Sequence, residues 1–335
     1  MTKVLLVGGT SAGHLAPMVA VAEALEKLEP GIALAFVCSN RAIDTTFLRI
    51  ESRAFSTLPV SRSMFARPFT FLQAFVKSFH ILSREHPDIV FSKGSAVSVP
   101  LCYAAWMKRI PVVLHESDAV MGRANAIISR IATKTLLGPD IGNPIRERVT
   151  AGKKEEGLRI AGLDGTKPVL LVMGGSQGAR SINEEIVRSL DTLLQICHII
   201  HLTGTGKNTA QNKPGYFASE FPADVLPHLY ACTDLAVGRA GAGSIAEFAA
   251  CGIPAILIPI KGLAGDHQVK NAERAEQAGA AIMLPQEKLD ELPTLIRSLL
   301  ADSVRMQTLR DRCRYAARPE AARLIAGTVL QSVAR

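Results

Sequence analysis

What this chain lacks narrows it first. No Cys-x-x-Cys pair occurs, and Cys38, Cys102, Cys197, Cys232, Cys251 and Cys313 are scattered through apolar runs. That excludes a disulfide framework and a zinc site, and it fits a reducing cytosol. No apolar run is long enough to span a bilayer, and residues 1–10 read as a strand and a glycine loop, not a signal peptide. Aromatics are few, with one Trp and four Tyr, and they do not interleave with basic residues. Nucleic acid is therefore not expected as a partner. Residues 52–84 contain no acid at all.

What is present describes a folded, basic protein. Its 335 residues exceed the usual size of one core, so two domains are expected. With 48% hydrophobic and 20% charged residues, the chain should bury substantial cores. A formal net charge of +8 suits anionic partners such as a phosphorylated substrate or an acidic membrane face.

The run Lys3-Val-Leu-Leu-Val-Gly8-Gly9-Thr10-Ser11-Ala12-Gly13-His14 is a buried strand, then a glycine turn, then an Ala-rich helix through Leu28. Such a turn lets backbone N–H groups approach an anion at a helix N-terminus. It is not a P-loop, because His14 stands where the Lys should be. Nor is it the dinucleotide fingerprint, whose second Gly is missing. Val169-Leu-Leu-Val-Met-Gly174-Gly175-Ser176-Gln177-Gly178-Ala-Arg180 echoes this start. Two matched strand–glycine-loop units predict two doubly wound halves, each with a loop at the top of its own parallel sheet.

The stretch 234–271 carries the densest set of polar groups: Arg239, Ser244, Glu247, Asp266, Gln268 and Asn271. A short apolar run, a Gly/Ala loop, an Ala-rich helix, a Gly-Ile-Pro stop and a second apolar run make a strand–helix–strand unit. Both its loops fall beyond carboxyl strand ends, where ligands bind. Ser244 and Glu247 also fit a capping box. That alternative leaves the second loop unexplained, so a ligand site is the better account of the whole.

Elsewhere, strands are expected at Ala33–Cys38, Ile89–Phe91 and Val112–His115, followed by loops bearing Gly94, Glu116, Asp118 and Asn125. Glu116 and Asp118 are either solvated loop acids or ligand groups just past a strand end. In 52–84, Arg53, Arg62, Arg67, Lys77 and Arg84 accompany Met64, Phe65, Phe69, Phe71, Phe75 and Phe79, and Phe71, Phe75, Phe79 and Leu82 share a helical face. The segment is either an ordinary core-facing helix or a basic apolar patch for an anionic bilayer. Residues 151–167 look like a linker between domains at 1–150 and 168–318. Pro319 sets off a last amphipathic helix within 319–335, which is expected to pack back on the first domain.

GGTSAGHLAP (8–17), HESDAVMGRAN (115–125), IGNPIR (141–146), GGSQGAR (174–180), GRAGAGSIAEFAACGIPAILIP (238–259) and DHQVKNA (266–272) together resemble the MurG family. The likeness runs almost end to end. It implies the GT-B fold, an α/β architecture of two Rossmann-like doubly wound parallel-sheet domains facing across a cleft. It implies inverting transfer of GlcNAc from UDP-GlcNAc to the C4 hydroxyl of MurNAc in lipid I, giving lipid II of bacterial peptidoglycan. The alternatives are a GT-B transferase on another lipid or small acceptor, a UDP-GlcNAc epimerase, or a nucleotide-sugar-binding regulator.

By the same resemblance, Glu247 takes the ribose hydroxyls, Ser176, Gln177 and Gly178 hold the diphosphate with Arg146, Phe221 borders the uracil, and Gln268 and Asn271 read the sugar. Thr10, Ser11, Gly13 and Asn125 are counted with these donor contacts. Gly9, Gly94 and Asp118 fall on the acceptor side. His14 is the expected general base, kept neutral by the helix dipole, with Glu116 in reserve. No Asp-x-Asp occurs, so no metal or other cofactor is expected. The resemblance further implies lipid I and an anionic membrane surface met through residues 62–84 as partners. Proteins of cell-wall synthesis and division are candidates too, and the place is the cytoplasmic face of the bacterial plasma membrane, held peripherally. Three departures stand out: a longer first loop, Asp118 where Asn is common, and Lys93 where Gly is common.

Overall fold

A computed structural model describes residues 1–9, 12–60, 67–175, 178–207, 213–220, 224–262 and 265–333 of the chain. It divides into two compact units, Met1–Arg146 with Arg318–Arg335, and Glu147–Ala317.

In unit 1, β1 (Lys3–Val7), β2 (Ala33–Ser39), β3 (Phe55–Leu58), β4 (Ile89–Ser92), β5 (Val112–Glu116) and β6 (Lys134–Leu137) form one sheet. Their order is β3-β2-β1-β4-β5-β6, and every pairing is parallel. Val4 lies opposite Leu34 on one side and Ile89 on the other. Successive side chains point to opposite faces. Val4 and Leu6 enter a core with Leu15, Met18, Ile325 and Val329, while Leu5 and Val7 pack with Ala74, Ile81, Leu82 and Leu101. Helices thus cover both faces, which is why the central strands are apolar without alternation.

Unit 2 repeats the plan. Its strands β7 (Val169–Met173), β8 (His198–Leu202), β9 (Tyr216–Ser219), β10 (Leu235–Gly238), β11 (Ala255–Leu257) and β12 (Ala281–Met283) run parallel in the order β12-β11-β10-β7-β8-β9. Leu171 and Met173 face Tyr230 and Phe248, and Leu170 and Val172 face Ile182, Ile186 and Ile256.

Three features differ from the sequence expectations. The stretch 151–167 is not a linker. Lys154–Ala161 is a helix of unit 2 packed on the helix Leu226–Ala231, so tightly that a Cβ on Gly157 would lie 2.1 Å from the His228 carbonyl. Its amphipathic face is short, and the dense charge around it masked it. The unit boundary, secondly, falls between Arg146 and Glu147; the helix Ala321–Val333, for which packing on the first domain is the expectation, lies against Ala12–Leu28 in unit 1 and is not one of the three. The third difference lies in the helix Arg67–Glu85. It buries Ala74, Ser78, Ile81 and Leu82, with Phe75 and Phe79 half-buried beside them and Phe71 exposed. Phe69 is 75% exposed, Leu72 60% and Val76 49%. Arg62, Met64 and Phe65 lie outside the described residues.

Candidate active site

A doubly wound sheet opens a crevice beyond its carboxyl edge where the strand order reverses. In unit 1 the reversal lies between β1 and β4, and in unit 2 between β7 and β10. The segments that follow the strands at those points begin with Gly8–Gly9 and Lys93–Gly94 in unit 1, and with Gly174–Gly175 and Arg239–Gly241 in unit 2. These are the loops singled out from the sequence.

In unit 1, Gly9 has φ of 150°, and a Cβ there would lie 2.7 Å from Asp44 Oδ2 and 3.0 Å from the Ser39 nitrogen. Only glycine lets the loop press this closely on Asp44, which is fully buried and receives the Ser39 hydroxyl at 2.5 Å. Gly8 separates Lys93 from His14: a Cβ on it would stand 3.2 Å from Lys93 Cβ and 3.8 Å from His14 Cβ. Lys93 is buried, its ammonium donating to the Ser117 hydroxyl. Burial pushes its pKa down to about 8, against the nearby charges of Glu116 and Asp118.

The His14 ring has its pKa lowered to about 4. Loss of solvation is the main cause and the Lys93 cation the second; Glu116, Asp44 and a hydrogen bond with the Gly9 backbone oppose them. Burial and a neighbouring cation, more than the helix dipole, thus favour the neutral form of the ring.

Glu116 is buried, and both its oxygens serve the loop after β5. Oε1 accepts from the Asp118 backbone at 3.0 Å; Oε2 accepts from Gly122 N at 3.0 Å and Asn125 Nδ2 at 2.7 Å. Asn125 Oδ1 in turn accepts from Ser95 N at 3.3 Å, and its side chain occupies the space a Cβ on Gly94 would need. Glu116, Asn125, Gly94 and the Asp118 backbone are therefore one assembly of unit 1, and Glu116 is its anchor. Arg146 also belongs to unit 1. Its Nη1 donates to Glu51 Oε1 at 2.7 Å and its guanidinium lies over the Phe47 ring, while the buried Nε meets no hydrogen-bond partner among the described residues. Thr10 and Ser11 lie outside the described residues, and Gly13 is exposed at the start of the helix Ala12–Leu28.

In unit 2, Gly178 has φ of 66° and a Cβ there would meet the Thr203 carbonyl at 2.1 Å. Its N–H closes the loop on Gly175 O at 2.8 Å. Ser176, Gln177 and Phe221 lie outside the described residues. The helix Ala242–Cys251 begins after Gly241, which puts Ser244 inside the first turn, and Gly241 makes no side-chain cap. The capping box therefore does not form. Glu247 instead accepts the Tyr230 hydroxyl at 2.8 Å.

Arg239 donates to Ile258 O at 3.0 Å and Ser181 Oγ at 2.9 Å, so it ties the loop after β10 to its neighbours. Gln268 Oε1 accepts from Ile260 N at 3.2 Å, and Asn271, buried, donates to Ala240 O at 3.1 Å. Asp266 takes a left-handed φ of 57° and accepts from Gly262 N at 2.6 Å. Gln268 and Asn271 thus join the helix His267–Gln277 to the loops after β11 and β10, while Glu247 turns to Tyr230.

Asp44, Lys93 and Tyr230 were not among the expected site residues. Of these only Lys93, beside a strand end, carried a positional signal in the sequence.

Residues 4–137 match the glycosyltransferase family 28 N-terminal domain, and residues 169–324 match the family 28 C-terminal domain. A UDP-N-acetylglucosamine--N-acetylmuramyl-(pentapeptide) pyrophosphoryl-undecaprenol N-acetylglucosamine transferase of Clostridium botulinum is 35% identical over 325 residues, 89% of this chain and 90% of its own. A transferase of the same name from Bacillus cereus, numbered 2, is 34% identical over 311 residues, 86% of this chain and 88% of its own. Among solved structures, MurG of Acinetobacter baumannii superposes with a TM-score of 0.74 at 24% identity, over 99% of this chain and 100% of that one. A UDP-GlcNAc 2-epimerase from Neisseria meningitidis bound to UDP-GlcNAc gives 0.69 at 13% identity, over 98% and 100%. At those identities the solved structures establish a shared fold.

Proposed function

The chain belongs to glycosyltransferase family 28 and, within it, to the MurG transferases, and on that premise we propose how its residues divide the reaction. Its two units are those of the GT-B fold. It is a UDP-GlcNAc-dependent glycosyltransferase that moves GlcNAc to lipid I, giving lipid II. The observation that carries this is identity of 35% through nine-tenths of both chains. The epimerase likeness rests on fold alone.

The C4 hydroxyl of the acceptor attacks the anomeric carbon with inversion as UDP leaves. Such a reaction needs a base on the acceptor and positive potential on the leaving diphosphate. His14 is the base, with the unit 1 loop and Lys93 around it. Glu116 is not assigned this task, since its lone pairs hold the loop that carries Asp118 and Asn125. In unit 2, the backbone of Gly174–Gly178 and the N-terminus of the helix that follows favour the diphosphate, and Glu247 accepts from the ribose hydroxyls. Donors of this kind supply the positive potential without a metal. Incubation with UDP-GlcNAc and lipid I should release UDP only when the acceptor is present, at a rate EDTA does not change. Sugar isomerisation without acceptor would favour an epimerase instead.

Arg146 separates two roles cleanly. Its side chain and that of Glu51 are only 10% and 7% exposed. Breaking such a buried ion pair by removing one member costs about 3 kcal/mol or more. Arg146→Leu should lower the urea midpoint accordingly and leave UDP affinity unchanged. Weakened UDP binding at an unchanged midpoint would return the guanidinium to the donor site.

A further inference from the structure

Tyr230 lies on the helix Leu226–Ala231 and is 1% exposed. Its ring meets Phe248 edge-on at 6.0 Å, and Phe248 follows Glu247 on the helix Ala242–Cys251. Its hydroxyl donates to Glu247 Oε2 at 2.8 Å and lies 3.6 Å from Met173 Sδ. Met173 ends β7 immediately before Gly174, and β7 and β10 meet at the reversal point of this sheet. A tyrosine sunk this far in an apolar core needs a partner for its hydroxyl. Among its partners is a charged group, the Glu247 carboxylate, on the helix after β10.

We propose that Tyr230 is a positioning residue that fixes the Glu247 carboxylate for the nucleotide's ribose and thereby sets preference for a ribonucleoside over a 2′-deoxyribonucleoside diphosphate. This rests on the assignment of Glu247 to the ribose. A glutamate side chain has three rotatable bonds, and holding it in one rotamer costs entropy that a bound ligand would otherwise have to supply. A hydrogen bond from a rigid, buried phenol supplies that order beforehand, and because its acceptor is ionised it is a strong one. A carboxylate offers about four lone-pair sites, so Tyr230 can hold one oxygen while the group still accepts from vicinal hydroxyls. A ligand lacking the 2′-hydroxyl forfeits one of those bonds, and sites built to bond a hydroxyl discriminate strongly against its absence.

Calorimetric titration of the full chain with UDP and with 2′-deoxy-UDP tests this, using the wild type, Tyr230→Phe, Glu247→Gln and the double variant. The wild type should prefer UDP by about tenfold or more, the loss expected for one charge-assisted hydrogen bond. Tyr230→Phe removes a single oxygen and should weaken UDP roughly fivefold while leaving 2′-deoxy-UDP within about twofold. Residues that act through one another are not additive, so the double variant should bind UDP no worse than Glu247→Gln alone. Equal weakening of both ligands by Tyr230→Phe, or additive losses in the double variant, would make Tyr230 a core residue only and overturn the proposal. No weakening of either would overturn it too. A wild type that binds both ligands alike would instead remove Glu247 from the ribose, and the proposal with it.

Discussion

His14→Ala is expected to lower turnover by about 10²-fold or more while UDP affinity stays within about twofold, because a base acts in the transition state and not in donor binding. The position supports this. His14 follows the glycine loop at the reversal point of unit 1, with Gly8 between it and Lys93. The ionisation supports it as well. With its pKa lowered from 6.5 to about 4, the ring is neutral at a pH well above 4, keeping one N–H while its other nitrogen can accept a proton. Burial and the Lys93 cation both disfavour the imidazolium, so acid must go further to form it.

The acid limb of kcat/KM, which reports the free enzyme, should therefore fall nearer 4 than 6.5. Lys93→Met removes the second cause and should move that limb upward. So low a basicity also means that something must raise it during the reaction, and an anionic diphosphate brought to this loop would do so. Near-normal turnover in His14→Ala would end its role as base. An acid limb unmoved by Lys93→Met would leave burial alone holding the ring neutral.

The parts of this protein that could be read from its sequence are those encoded locally. Val4–Val7 and Val169–Met173 are apolar runs with glycine turns after them, and both stand at the centre of their sheets. Strands with one polar face and few residues escaped notice: β3, of sequence FSTL, and β9, YFAS. Glycine turns after apolar runs mark strand ends in the sequence, but what each polar group does there is not encoded nearby. Ser-x-x-Glu at 244–247 fits a capping box in sequence, yet the helix starts earlier, from Gly241, and the Glu247 carboxylate turns to Tyr230. Arg146 takes Glu51, 95 residues away, and Glu116 spends both oxygens on its own loop. Partnerships of this kind are set by tertiary packing, which no spacing rule records.

Phe69→Ser/Leu72→Ser/Val76→Ser is expected to abolish cosedimentation with anionic phosphatidylglycerol vesicles. An enzyme acting on a lipid-linked sugar must reach a headgroup that stays at the bilayer surface, and no helix among the described residues is long and apolar enough to cross a membrane. The helix Arg67–Glu85 offers the alternative. Its inner side is anchored by Ala74, Ile81 and Leu82, so the helix would stay folded without its outer residues. Phe69, Leu72 and Val76, spaced by three and four, share the outer side, and all three are exposed. The flanking Lys77 is exposed as well, whereas Arg84 already gives its guanidinium to Glu85 and Ser56.

Burying a Val, Leu or Phe side chain is worth roughly 1.5–3 kcal/mol. Partial immersion of three should amount to about 4 kcal/mol, or about 10³-fold in partition. One basic residue adds about 1 kcal/mol at an anionic surface, so Lys77→Glu should weaken binding less than the triple variant and reduce its dependence on salt. Because the substituted side chains already face water, the triple variant should melt like the wild type and keep its turnover on a short-chain, water-soluble acceptor. Vesicle binding equal to the wild type's in that folded variant would place the membrane contact elsewhere on the chain.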